Sequence, residues 1–258
     1  MTIPITDRPE DIGLSSERLA KAFAYIESWV ATDLAPGAAI GLARQGRHLT
    51  PRGFGRMAPK PDAPMLPSDA IFLTASVTKP VACAAVMLLV ERGQAGLDTP
   101  VVSVIPEFGA QGKDRVTIRH LLTHTSGLLD MIPENVDYRK RHAPLDEFIA
   151  RICDLDLLFE PGTNISYQSA GIAILGEIVW RVTGTPLPEF LRREMFEPLG
   201  MDDTSLGVRP DLLARIPEIR LPDDLIEADW GWNKPYWRAF GAPWGGMFST
   251  VRDMSVFC

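Results

Sequence analysis

Phe72-Leu73-Thr74-Ala75-Ser76-Val77-Thr78-Lys79-Pro80 sets a hydroxyl three residues ahead of an amine, at the mouth of an apolar run. The run, Val81 to Val90, reads as a buried helix that Gly93 closes. Ser76 then falls in its first turn. Side chains at i and i+3 lie one above the other on a helix, so Lys79 projects beside the Ser76 hydroxyl. A serine becomes a useful nucleophile when a neighbouring base takes its proton, and a lysine can be that base only where its surroundings leave it neutral. Burial at the start of an apolar helix is such a place. The positive end of the helix dipole also favours the negative charge that develops when a carbonyl is attacked there. Pro80 has no N–H for the Ser76 carbonyl, so the turn is expected to be irregular.

The spacing by itself is weak, because S-x-x-K arises by chance roughly once in a chain of this size. An ordinary helix start, capped by Thr74 or Ser76 with Lys79 in water, reads the same residues. The flanking chain supplies more. Upstream, Leu14-Ser15-Ser16-Glu17 caps an amphipathic helix whose buried stripe is Leu19, Phe23, Ile26 and Val30. Ala38 to Ala43 and His48 to Phe54 read as two strands about the turn Arg44-Gln45-Gly46-Arg47, with Pro51 making the second an edge strand or a bulged one. Four prolines between Arg56 and Ser68 mark a loop.

Downstream, Val116 to Leu122 starts a short helix with Thr117 as cap and runs into Thr123-His124-Thr125-Ser126-Gly127-Leu128. His120 and His124 are spaced like a zinc pair, but Leu121 stands where a metalloprotease motif needs glutamate, so both read as structural histidines and no metal is expected. Leu145 to Phe159 reads as an amphipathic helix, Ile172 to Val182 as an apolar one closed by Gly184, and Pro188 to Phe196 as another stopped by Glu197-Pro198-Leu199-Gly200-Met201. Tyr167 is open to two readings, an ordinary core aromatic or a proton-transfer group beside a lysine. Trp230, Trp232, Trp237 and Trp244 either wall a pocket or fill a core under a long loop. Thr250-Val251-Arg252-Asp253 has the pattern of a capped helix start.

Composition bounds the function. The 258 residues are 46% hydrophobic, enough for a large core, and a formal net charge of -7 disfavours nucleic acid and anionic membrane as partners. Arg139-Lys140-Arg141-His142 reads as a solvated loop or helix end. Cys83, Cys153 and Cys258 give neither a disulfide framework nor a zinc pattern. Met1 to Gly13 shows no signal peptide and no membrane span, which favours the cytoplasm, or the periplasm if a leader was removed. With no phosphate loop and no dinucleotide fingerprint, no cofactor is expected.

Four stretches then come together. Ser76-Val77-Thr78-Lys79, Leu121 to Leu128, Tyr167-Gln168-Ser169 and Gly245-Gly246-Met247-Phe248-Ser249-Thr250 occur in the order seen in serine beta-lactamase-related proteins. From about Leu14 onward the chain resembles the branch that holds class C beta-lactamases, D-alanyl-D-alanine carboxypeptidases and esterases. The resemblance implies a mixed α+β fold, an antiparallel sheet flanked by helices with a mostly helical inserted region. It implies one catalytic domain over 1–258, with the first helix and early strands in 14–75 and the active-site motifs in 76–250. It further implies an acyl-enzyme on Ser76, with Lys79 as base or proton relay, Tyr167 as its partner near the leaving group, the Ser76 N–H as an oxyanion donor and Ser169 on the substrate. The substrate would be a small ester, peptide or beta-lactam.

Two departures follow. Ser169 stands where the family usually has asparagine, a shorter group with fewer donors. The family's third motif, Lys or His with glycine two positions later on a late strand, has no counterpart after Ser249. The chain is therefore expected to lack the late strands, to leave an unpaired edge near Ala38 to Ala43, and to turn over weakly. A catalytically inactive homologue that binds or scaffolds is the alternative.

Overall fold

A computed structural model describes residues 3–258. Its first layer is a hairpin, β2 (Gly37–Arg44) against β3 (Arg47–Gly55), with β1 (Ile5–Thr6) added in parallel on the far side of β3. Gln45 and Gly46 both take positive φ, as a two-residue hairpin turn requires. The register slips between Ile40 and Leu42, so that Thr50 and Pro51 together face Gly41. Pro51 thus marks a bulge, and β3 is the central strand rather than an edge. Among the described residues β2 has one strand partner. The two residues of β1 carry no alternation to read, and sequence did not single them out. α1 (Ser16–Ala31), capped by the Ser15 hydroxyl, lays Phe23 against Phe54 of β3, with the Arg52 guanidinium over both rings.

β4 (Phe72–Leu73) leads through a tight turn at Ala75–Val77 into α2 (Thr78–Glu91). Val81, Ala82, Ala85, Val86 and Leu89 are buried at helical spacing and pack α2 on α6 (Ala170–Thr183). Around α6 stand α3 (Ile118–Leu122), where Thr117 and His120 form the cap, and α5 (Leu145–Cys153). α4 (Asn135–Lys140) precedes α5. The helix expected to run to Phe159 stops at Cys153. Buried Lys113 donates to the Leu155 carbonyl, and Leu158 N–H donates to the Gly127 carbonyl, so tertiary partners take the groups that would have continued the helix.

The helix expected over Pro188 to Phe196 is α7 (Leu187–Leu191), a π-helical turn at Arg192–Phe196 and α8 (Glu197–Leu199). At 3.6 residues per turn Phe196 would swing away from Leu191; the wider turn returns both to the core. β5 (Ser205–Leu206), α9 (Asp223–Ile226), α10 (Pro235–Phe240), β6 (Met247–Ser249) and α11 (Val251–Phe257) complete the chain. β6 lies between β4 and β5 in a second, antiparallel sheet. α11, capped by Thr250, packs on the face of β2 opposite α1: Gly41, one residue from Ile40 and so on the other face, abuts Val251. Among the described residues no helix is long and apolar enough to cross a membrane.

Candidate active site

β6 holds the serine turn from both ends. The Met247 carbonyl accepts from Thr74 N–H and Thr74 Oγ1 at 2.9 and 3.0 Å, and Met247 N–H donates to Thr78 Oγ1 at 3.1 Å. Gly246 closes the tight turn that leads into β6, since a Cβ there would lie 2.4 Å from the Ala242 nitrogen. Between the clamps Ala75 sits at φ 46°, a left-handed conformation that costs a residue with a side chain about 1–2 kcal/mol. The expected irregular turn is therefore present. Its effect is to leave Ser76 exposed while Thr78 and Lys79 are buried. Ser76 lies in the opening turn, where backbone N–H groups lack an intrahelical acceptor and can serve an anion.

Lys79 is 5% exposed, and its Nζ donates to Ser76 Oγ at 3.1 Å and to the Trp244 carbonyl at 2.9 Å. Lys79 Nζ also lies 4.7 Å from the centre of the Tyr167 ring. Tyr167 thus meets Lys79 with its ring face. Its hydroxyl makes no hydrogen bond to a described residue, and half of the residue is open to solvent. His124 also packs against that ring, centroids 5.0 Å apart, and its Nδ1 accepts from Gln168 N–H at 3.3 Å. Burial, then the nearby Lys79 charge, holds the His124 imidazole below its ordinary pKa against a weaker pull from Asp130. His124 is accordingly a neutral prop near pH 7.

Ser169 N–H donates to both the Asp130 carboxylate and the Asp130 carbonyl, at 2.8 and 2.9 Å. The Ser169 hydroxyl has no hydrogen-bond partner among the described residues and faces the same hollow as Ser76. Gln168, fully buried, donates to the Leu121 carbonyl and accepts from Ser126 Oγ, which ties the tyrosine stretch to the stretch from Leu121 to Leu128. The hollow measures about 370 Å³ and is walled by Met131, Arg139, Trp232, Trp237 and Trp244. A larger one, about 530 Å³ beside Val30, Arg56 and Arg220, is lined by no serine, threonine or cysteine. Burial raises the Cys83 thiol to about 11, so it does not compete with Ser76. Among the described residues no three His, Cys, Asp or Glu side chains converge to hold a metal.

Ser76, Lys79, Tyr167 and Ser169 therefore meet at one place. Sequence reading missed Asp130, the Trp244 carbonyl and Arg139. The first two act across 39 and 165 residues and leave no local pattern. Arg139 was read as solvated, yet α4 turns it inward against Trp230 and Trp237.

A family model described as Beta-lactamase matches residues 26–258. "Esterase EstB" of Burkholderia gladioli is 38% identical over 182 residues, covering 65% of this chain and 46% of that protein. "Penicillin-binding protein 4" of Amycolatopsis lactamdurans is 38% identical over 197 residues, covering 74% of this chain and 50% of that protein. The chain spans about half the length of the curated relatives it matches. A crystal structure of a penicillin-binding protein homologue from Caulobacter crescentus superposes with a TM-score of 0.77 at 25% identity, covering 95% of this chain and 69% of that one.

Proposed function

The chain belongs to the beta-lactamase family, and from that membership we propose that it is a serine hydrolase working through an acyl-enzyme on Ser76. One observation carries the reading: a buried amine, fixed by the Trp244 carbonyl, points at the oxygen of an exposed serine 3.1 Å away. In acylation Ser76 Oγ attacks the substrate carbonyl carbon and passes its proton to Lys79 Nζ, a step that requires the amine to have a free lone pair. The Ser76 N–H receives the oxyanion. Collapse breaks the bond to the leaving group, which takes the proton now on Lys79 Nζ, either directly or from the Tyr167 hydroxyl with Lys79 reprotonating the phenolate. Water then attacks the acyl carbon and gives a proton to Lys79 Nζ, which passes it to Ser76 Oγ as the acyl–oxygen bond breaks and the acid leaves. Ser169 Oγ is free to hold the substrate. Residues 14–75 and 76–250 are two parts of one catalytic domain in this reading.

Among esters, peptides and beta-lactams, an ester suits the hollow best, because Met131, Trp232, Trp237 and Trp244 give it an apolar wall with few partners for peptide groups. The relative named as an esterase agrees with that choice. The test is a fluorophosphonate probe followed by intact-protein mass and peptide mapping. One adduct on Ser76, absent from Ser76→Ala, is the expected result; a folded chain that takes no adduct is a binding protein and overturns the proposal.

A further inference from the structure

We propose that Arg139 makes the Ser76 hollow selective for acyl compounds that carry a carboxylate, a subsite whose catalytic meaning rests on Ser76 being the nucleophile. Arg139 and Asn135 stand one turn apart on α4, on the same face, and both line the hollow that holds Ser76, Lys79 and Ser169. The Arg139 guanidinium carbon lies 4.2 Å from the centre of Trp237 and 4.8 Å from that of Trp230. Two indoles therefore fix the orientation of the guanidinium of a residue that lines the hollow.

The donors of that guanidinium are poorly satisfied. Nη2 reaches the Trp230 carbonyl only at 3.4 Å, and Nε is buried with no hydrogen-bond partner. Among the described residues no carboxylate lies within ion-pair distance of Arg139. Its neighbours differ: Arg141 pairs with Glu147, and Arg151 with Glu134. Burial without a counter-ion also lowers the pKa of Arg139. A desolvated guanidinium with unpaired donors is satisfied most directly by a planar anion that takes two parallel N–H bonds. The other polar side chains at the wall are Ser76, Lys79, Asn135 and Ser169, and Lys79 Nζ is already engaged by Ser76 Oγ and the Trp244 carbonyl, which leaves Arg139 as the cation with donors to spare. Carboxylate is the matching group, because both of its oxygens can lie in the plane of the guanidinium. Trp232, Met131 and Trp244 would cover an aromatic or aliphatic spacer between that carboxylate and the ester.

The test is equilibrium binding, read by tryptophan fluorescence, of phenylbutanoate and of its neutral isostere phenylbutanamide. The acid is expected to bind about tenfold more tightly than the amide, and less so as salt is raised. Arg139→Gln should bring the two to parity, and Arg139→Lys should keep part of the preference. Equal affinity for acid and amide in the unsubstituted chain overturns the proposal, and this arm needs no variant to fold. A preference for the acid that persists in folded Arg139→Gln also overturns it and leaves Arg139 as a spacer between tryptophans. Neither measurement uses turnover. Failure of fluorophosphonate labelling would sink the nucleophile and leave the binding result standing, so the two readings fail separately.

Discussion

α6, with 14 residues, buries nine of them, whereas α1, with 16, buries Phe23 alone. The contrast extends to their surroundings. α2, α3 and α5 close on α6 to give one continuous apolar core, while no residue of β2 is fully buried and Leu19, Ile26 and Val30 of α1 are only half covered. Ser76, Lys79 and Ser169 are all mounted at the ends of helices in the deep body, where the surrounding packing over-determines their positions. The lesson is that rigidity is concentrated where a 3.1 Å contact has to be held, and the hairpin layer is the softer part.

The sharpest way to break that division is to uncouple chemistry from packing. Ser76→Ala should lose all fluorophosphonate labelling and stay within about 0.5 kcal/mol of the parent in stability, because Ser76 is exposed. Phe23→Ala should do the reverse, destabilising the hairpin layer while the folded chain still labels at Ser76. Labelling lost in a folded Phe23→Ala chain would tie the site to the soft layer. Lys79→Ala comes next. It should slow acylation by ~10²- to 10⁴-fold with little change in binding of a non-reactive ligand. An unchanged pre-steady-state acylation rate would remove Lys79 from the mechanism.

Packing itself separates the regions by a smaller amount. Ile174→Ala in α6 should cost about 2–5 kcal/mol, against about 1 kcal/mol for Ile40→Ala on half-exposed β2. Equal shifts in denaturant midpoint would erase the comparison. The smallest effect is that of pH. Burial holds His48 in β3, and His120 and His124 in the body, below the ordinary imidazole value. As pH falls through about 6.5 the unfolded chain binds protons that the folded chain refuses, so stability should decline from pH 7.5 towards 5.5 and level off below the folded values. Asp253 works in the opposite sense, since burial raises its pKa and its stabilising share is lost as pH rises. Replacing His124 by Gln should flatten part of the decline. A profile unchanged by that substitution would place the effect at His48 or His120.

What the sequence determined by itself is what short range dictates. Three residues of helix set Lys79 over Ser76, Thr117 and Thr250 cap the helices they precede, and Pro51 demands a break in β3. Each is decided by backbone geometry within a turn or two, so the residue types carry the answer. The order of the four motifs carried the fold, and with it the meeting of Ser76, Lys79, Tyr167 and Ser169. Only the tertiary structure decided where α5 ends, since Lys113 reaches Leu155 from 42 residues away. It alone brought the Trp244 carbonyl to Lys79, Asp130 to Ser169, and the indoles of Trp230 and Trp237 to Arg139. Apolar periodicity reports that a face is buried but not against what, and a charged residue carries no mark of which partner has been withheld from it; those choices are made by packing between segments far apart in the chain.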